Sequence, residues 1–235
     1  MSGKRMVLNP ENSNEVAIKG VIFDMDGTLC LPQPWMFKMM RQALKIEGLP
    51  IDILDYIDSL SEDEKIIANK ALADIEAKAM IEQVPQPGLE DLMKFLHEND
   101  LPKTICTRNL IEPVNHLVSK FLPSEIQLQD PIITRSYSPP KPSAKPLLHI
   151  IESWGLKPEN VIMVGDSSDD MMAGLNAGCS VILIEHENNI YLKKSLKEID
   201  VAVNRLDDII DLIKNGYALA DKSQYDPAKI LNRYH

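Results

Sequence analysis

The sequence predicts an α/β protein built on a doubly wound, mainly parallel sheet, interrupted by a small all-helical insertion. Three observations carry that prediction. Short apolar runs of strand length recur along the chain. Amphipathic patterns of about ten residues separate most of them, the alternation that builds parallel sheets. One stretch, residues 33–84, breaks the alternation and shows no strand signal at all.

The strand-like runs are Ala17–Phe23, Lys103–Cys106, Ile132–Ile133, Val161–Val164, Val181–Ile184 and Val201–Val203. Helical patterns cover Leu89–Glu98, Leu110–Phe121, Ser143–Trp154, Asp169–Ala177 and Leu206–Asn215. Pro113 falls in the first turn of its helix, where a missing N–H costs nothing. Within 33–84 the pattern reads as three helices, about 35–46, 51–60 and 62–81, punctuated by Pro50 and Ser61. The expected organisation is a flexible arm over 1–16, a Rossmann-like core over 17–32 and 85–215, a helical cap over 33–84, and a tail over 216–235. The arm is rich in Asn, Ser, Glu and Pro, which suggests loose order. The tail shows no clear periodicity.

Bulk properties narrow the function. The chain has 235 residues, 44% of them apolar, with 25 Lys and Arg against 35 Asp and Glu, a formal net charge of −10. Scattered basic residues in an acidic chain argue against nucleic acid and anionic membranes as partners. The three cysteines, Cys30, Cys106 and Cys179, lie far apart without metal-ligand spacing and read as reduced, buried thiols. No apolar run reaches the roughly 18 residues of a membrane span, and the first residues lack the apolar stretch of a secretory signal. The expectation is a cytoplasmic protein, with a monomer favoured.

Parallel sheets place ligands beyond the carboxyl ends of their strands, and the strand ends here are chemically loaded. The first runs into Asp24-Met25-Asp26-Gly27-Thr28. The second runs into Thr107-Arg108-Asn109. A later loop holds Pro139-Pro140-Lys141-Pro142. The next strand ends at Gly165-Asp166-Ser167-Ser168-Asp169-Asp170. Carboxylates, a hydroxyl and an ammonium thus converge on one sheet edge. A calcium loop does not explain the first motif, because Gly27 stands at position four and Trp35 at position twelve.

These four motifs, in this order, resemble the haloacid dehalogenase-like hydrolase superfamily in its phosphatase branch. The resemblance covers about residues 17–204. It implies that Asp24 attacks phosphorus to form an aspartyl-phosphate, and that Asp26 protonates the leaving oxygen and then activates water. It implies Mg²⁺ as cofactor, held by Asp24, Asp166, the main-chain carbonyl of Asp26, and Asp170 directly or through water. Thr107 and the Arg108 amide, expected at a helix start, would bind the phosphate. Lys141 would balance its charge; Lys145, also followed by proline, is the alternative, and the position just ahead of a helix favours Lys141. Asp169 could cap the following helix. The 33–84 insertion resembles the family's helical cap and would sit over Asp24 as a lid.

The implied reaction is hydrolysis of a small phosphorylated metabolite. A phosphomutase of the same superfamily and a non-catalytic phospho-ligand-binding module are the alternatives. Trp35, Lys38 and Arg41 on the first cap helix are candidate substrate contacts, although positions 35, 38, 39 and 42 also make an ordinary packing face. The five histidines show no ligand spacing and read as structural or exposed.

Overall fold

A computed structural model describes residues 3–227. In chain order the elements are β1 (Arg5–Val7), β2 (Glu15–Ala17), β3 (Gly20–Phe23), α1 (Pro34–Leu44), α2 (Ile53–Asp58), α3 (Glu62–Ile81), α4 (Leu89–Glu98) and β4 (Lys103–Ile105). There follow α5 (Ile111–Phe121), α6 (Lys145–Ser153), β5 (Val161–Gly165), α7 (Ser168–Ala177), β6 (Ser180–Ile184), α8 (Leu192–Ser195), β7 (Val201–Val203), α9 (Asp208–Asn215) and β8 (Tyr217–Ala218).

The main sheet has the order β4-β3-β5-β6-β7, and every pairing is parallel. This is the expected doubly wound architecture. β3 and β5 are buried along their whole length, as their unbroken apolar runs require of strands covered on both faces. One apolar cluster joins β3, β5 and β6 to α4, α5 and α9. A second, on the other face, joins the same sheet to α6 and α7. The register pairs Phe23 with Val164 and with Ile105, so three strand ends finish level. The motifs that follow them are thereby brought to one edge.

Helices α1–α3 pack around a cluster of their own, with Met36, Met40, Ile53, Ile57, Leu72 and Ile75 buried in it. Local chemistry sets their limits. Asp52 caps α2 by accepting from the amides of Leu54 and Asp55 at 2.8 and 3.2 Å. Ser61 and Glu64 form a reciprocal capping box at the start of α3.

Three expectations fail. The run Ala17–Phe23 is not one strand: β2 and β3 belong to different sheets, and the chain changes partner at Ile18-Lys19. Ile132–Ile133 makes only a single bridge, Cys106 to Ile133. Over its described residues the arm is not loose. β1 pairs with β2 in parallel and with β8 antiparallel, forming a second sheet, and Met6 is fully buried. The tail as far as Pro227 belongs to this ordered structure, and 228–235 lie outside the described residues. The buried side chain of Asp200 ties it down, accepting from Ser180 Oγ, the Val181 amide, the Ala220 amide and Lys222 Nζ at 2.8–2.9 Å. Among the described residues no helix is long and apolar enough to cross a membrane.

Candidate active site

Asp24 stands immediately past β3, its amide bonded to the Val164 carbonyl, and is buried. The chain then turns sharply through Gly27, at φ +84°. A Cβ on Gly27 would lie 2.2 Å from Asp166 Oδ2, so only glycine allows the first and last motifs to approach this closely.

Lys141 is the hub. Its ammonium, almost wholly buried, donates to Asp24 Oδ1 at 2.7 Å, Asp170 Oδ1 at 2.5 Å and the Cys106 carbonyl at 2.6 Å. Burial alone would lower its pKa. The charges of Asp170 and Asp24 outweigh that tendency and hold the group protonated, its pKa raised. Lys145 is instead exposed at the first turn of α6, and of the two lysines it is Lys141 that pairs with Asp24 and Asp170.

The carboxylates experience the opposite balance. Burial pushes Asp24 well above the ordinary carboxylate range; Lys141 opposes this, while neighbouring Asp170, Asp166 and Asp26 add to it. Burial likewise raises Asp26, against the hydrogen bond from Asn109. It also raises Asp166, against the bond from His186. Asp24, Asp166 and Asp170 each bring a carboxylate oxygen within 4.8 Å of the others. When all three are ionised, one ammonium leaves two negative charges unbalanced in a buried place. An all-oxygen set with that deficit suits a divalent hard cation. The Asp26 side chain is not one of the three.

Asp170 also performs a structural task. Its Oδ2 accepts from the amides of Asp166 and Ser167 and from Ser167 Oγ, completing a capping box at the start of α7. Ser167 is therefore the cap, and Asp169 is not. Asp169 meets Arg108 at 3.1 Å instead.

Thr107 is buried, and its Oγ accepts from the Asn109 amide at 3.1 Å, which leaves its own proton to donate. Arg108 departs from expectation. Helix α5 begins only at Ile111, so the Arg108 amide is not at a helix start. Its guanidinium reaches Asp169 and, at 2.8 Å, Asp52 at the head of α2. Asn109 donates to Asp26 Oδ2 at 2.9 Å.

A cavity of about 480 Å³ opens over these groups. Its wall includes Asp24, Asp26, Thr107, Arg108, Lys141, Asp166 and Asp170 from the core, and Met36, Met40 and Glu76 from the helical segment. Of the three expected cap contacts only Arg41 lines it, and Arg41 spends its terminal nitrogens on the carbonyls of Leu49 and Ile51. Trp35 packs beneath Lys78 (4.8 Å), and Lys38 is exposed outside the wall.

Four contributors carried no assigned role in the sequence reading: Asn109, Arg135, Glu76 and His186. Arg135 pairs with Glu76 of α3 at 2.9 Å and donates through Nε to the Arg108 carbonyl. His186, read as structural or exposed, lies 2.9 Å from Asp166 Oδ2 through Nε2. Its position two residues past β6, on the loaded sheet edge, was the one available signal.

A parallel sheet with paired aspartates after its first strand, a buried lysine and an acidic turn beyond its third defines an aspartate-centred α/β hydrolase. The chain belongs to the haloacid dehalogenase-like hydrolase family, whose model matches residues 18–178. It is 50% identical over 200 residues to an uncharacterized hydrolase of Saccharomyces cerevisiae, covering 84% of this chain and 92% of that one. It is 28% identical to a phosphoglycolate phosphatase of Chromobacterium violaceum, over 85% of this chain and 98% of the other. Among solved structures, a HAD hydrolase of Entamoeba histolytica superposes with a TM-score of 0.68 at 20% identity, covering 81% of this chain and 95% of that one.

Proposed function

We propose that the chain is a Mg²⁺-dependent phosphatase acting on a small phosphorylated metabolite through an aspartyl-phosphate on Asp24. The observation that carries this reading is the pairing of Asp24 with Asp26 on one cavity wall, in unlike surroundings. Asp24 faces the Lys141 ammonium, which favours the ionised form a nucleophile needs. Burial raises both carboxyls, but among the described residues Asp26 has no cation within ion-pair distance to draw off its proton, which suits the general acid.

Asp24 attacks phosphorus and the ester P–O bond breaks. Asp26 gives its proton to the departing alcohol oxygen. Water then attacks the aspartyl-phosphate, Asp26 takes a proton from it, and inorganic phosphate leaves with Asp24 restored. Thr107 donates to a phosphate oxygen, and Lys141 offsets the charge carried by phosphate and carboxylates together. Mg²⁺, held by Asp24, Asp166, the Asp26 carbonyl and Asp170, would supply the remaining positive charge. Helices α1–α3 form the cap that closes the cavity against bulk water. Three free, buried thiols agree with a cytoplasmic setting.

The test is phosphate release from 4-nitrophenyl phosphate with and without Mg²⁺. Activity is expected only with the metal, and Asp24→Asn should abolish it together with any covalently trapped phosphate. Undiminished turnover in Asp24→Asn would rule the mechanism out.

A further inference from the structure

The cavity carries information about the part of the substrate that departs. Its volume, about 480 Å³, lies within the roughly 300–1,000 Å³ of cavities that enclose drug-sized ligands. A phosphate with a two-carbon acid would leave much of it unfilled. The helical side of the wall presents Met36, Phe37, Met40, Ile53, Leu54 and Met80. Methionines adapt their shape to an apolar guest.

Charge points the same way. Seven carboxyl groups line the cavity (Asp24, Asp26, Asp52, Asp166, Asp169, Asp170 and Glu76) against four cations, Arg41, Arg108, Arg135 and Lys141. Lys141 is committed to Asp24 and Asp170, Arg108 to Asp52 and Asp169, and Arg135 to Glu76. Arg41 is pinned to two backbone carbonyls. Among the described lining residues, Arg108 keeps an unpartnered Nε, but that nitrogen is buried and its guanidinium already faces two carboxylates, so no cation on the wall is free of a partner for a second anionic group. With Mg²⁺ bound and Asp26 protonated, six carboxylates face four cations and a divalent ion, so the wall is balanced only until the substrate's phosphate enters, and a second anion would sit beside that phosphate with like charge disfavoured.

We infer that the leaving group of the substrate is uncharged and presents a ring-sized apolar face to the Met36–Phe37–Met40 wall, unlike glycolate. This rests on the phosphatase reading and assigns the class of alcohol released.

Benzyl phosphate, 4-carboxybenzyl phosphate, ethyl phosphate and phosphoglycolate separate the terms, with phosphate release measured under Mg²⁺. Benzyl phosphate should exceed phosphoglycolate, ethyl phosphate and its own carboxylated analogue in kcat/KM by tenfold or more. Phe37→Ala, at a half-exposed wall position, should shrink the benzyl-over-ethyl preference at least threefold, chiefly through KM. Equal or better turnover of phosphoglycolate or the carboxylated ester would overturn the inference and leave the phosphatase reading intact. Release from none of the four would count against the phosphatase reading. Binding of the same esters to Asp24→Asn, measured by calorimetry with Mg²⁺, then decides the leaving-group inference: the benzyl ester must bind tenfold tighter than phosphoglycolate, and the reverse order overturns it.

Discussion

His186 Nε2 lies 2.9 Å from Asp166 Oδ2, and its Nδ1 accepts the Asn188 amide at 3.2 Å. An acceptor at Nδ1 puts the ring proton of the neutral imidazole on Nε2, so His186 donates to Asp166. Asn189 reinforces the loop, donating to the Asp166 and Ile184 carbonyls at 2.8 Å. The histidine therefore fixes the orientation of a proposed metal-holding carboxylate. Loss of such a supporting bond typically costs about 10–100-fold in metal affinity. His186→Ala is expected to weaken Mg²⁺ binding on that scale, read as a smaller Mg²⁺-induced rise in melting temperature. His186→Gln, which can still offer an N–H, should recover part of the loss.

Lys141 compensates two buried carboxylates at once. Removing one partner of a buried ion pair costs about 3–5 kcal/mol, because the other charge stays behind. Lys141→Ala without metal should lower the unfolding free energy by about 3 kcal/mol in urea titration. Added Mg²⁺ should restore part of it by binding the folded state. An unchanged denaturation midpoint would show that the lysine adds nothing to stability.

Two arginines fasten the helical segment to the core. Arg108 holds Asp52 at the head of α2, and Arg135 holds Glu76 within α3. Both pairs are partly shielded, so each should contribute about 1 kcal/mol. The double variant Asp52→Asn, Glu76→Gln should speed amide exchange across residues 62–81, with the β5 and β6 amides unaffected. Uniform exchange across both regions would argue that the helices do not open separately.

Asp200 anchors the tail through four donors from two segments, 180–181 and 220–222. Asp200→Ala strands the Val181 amide, a buried donor at the start of an interior strand, and leaves Lys222 with the Cys179 carbonyl alone. A loss of about 2–4 kcal/mol is expected, since an unsatisfied buried donor and a lost charge-assisted bond add together. Removing residues 216–235 should destabilise similarly, as it takes away β8 and exposes Met6. Chemical denaturation of both variants measures this.

The core was legible because local pattern and burial agree there. β5, β6 and β7 are short apolar runs, and the 62–81 helix carries its own cap in Ser61 and Glu64. The acidic turns were legible because the strand that delivers each is adjacent in sequence. β1 was not, since three residues in a polar arm acquire their strand character by pairing between β2 and β8, the latter more than 200 positions away. The helix start expected at Arg108 slipped for a local reason. The Asn109 side chain binds the next amide and Asp26, holding the chain out of helix until Ile111.

By itself, then, the sequence determined the parallel sheet, the helical interruption and which side chains sit at the strand ends, because these follow from periodicity and chain adjacency. Only the tertiary structure decided how those side chains are paired. Lys141 rather than Lys145 enters the site, Arg108 and Arg135 spend their charge on Asp52, Asp169 and Glu76, and His186 turns toward Asp166. Pairing depends on distances across a fold, over tens to more than a hundred residues of intervening chain. Local pattern carries no record of such distances.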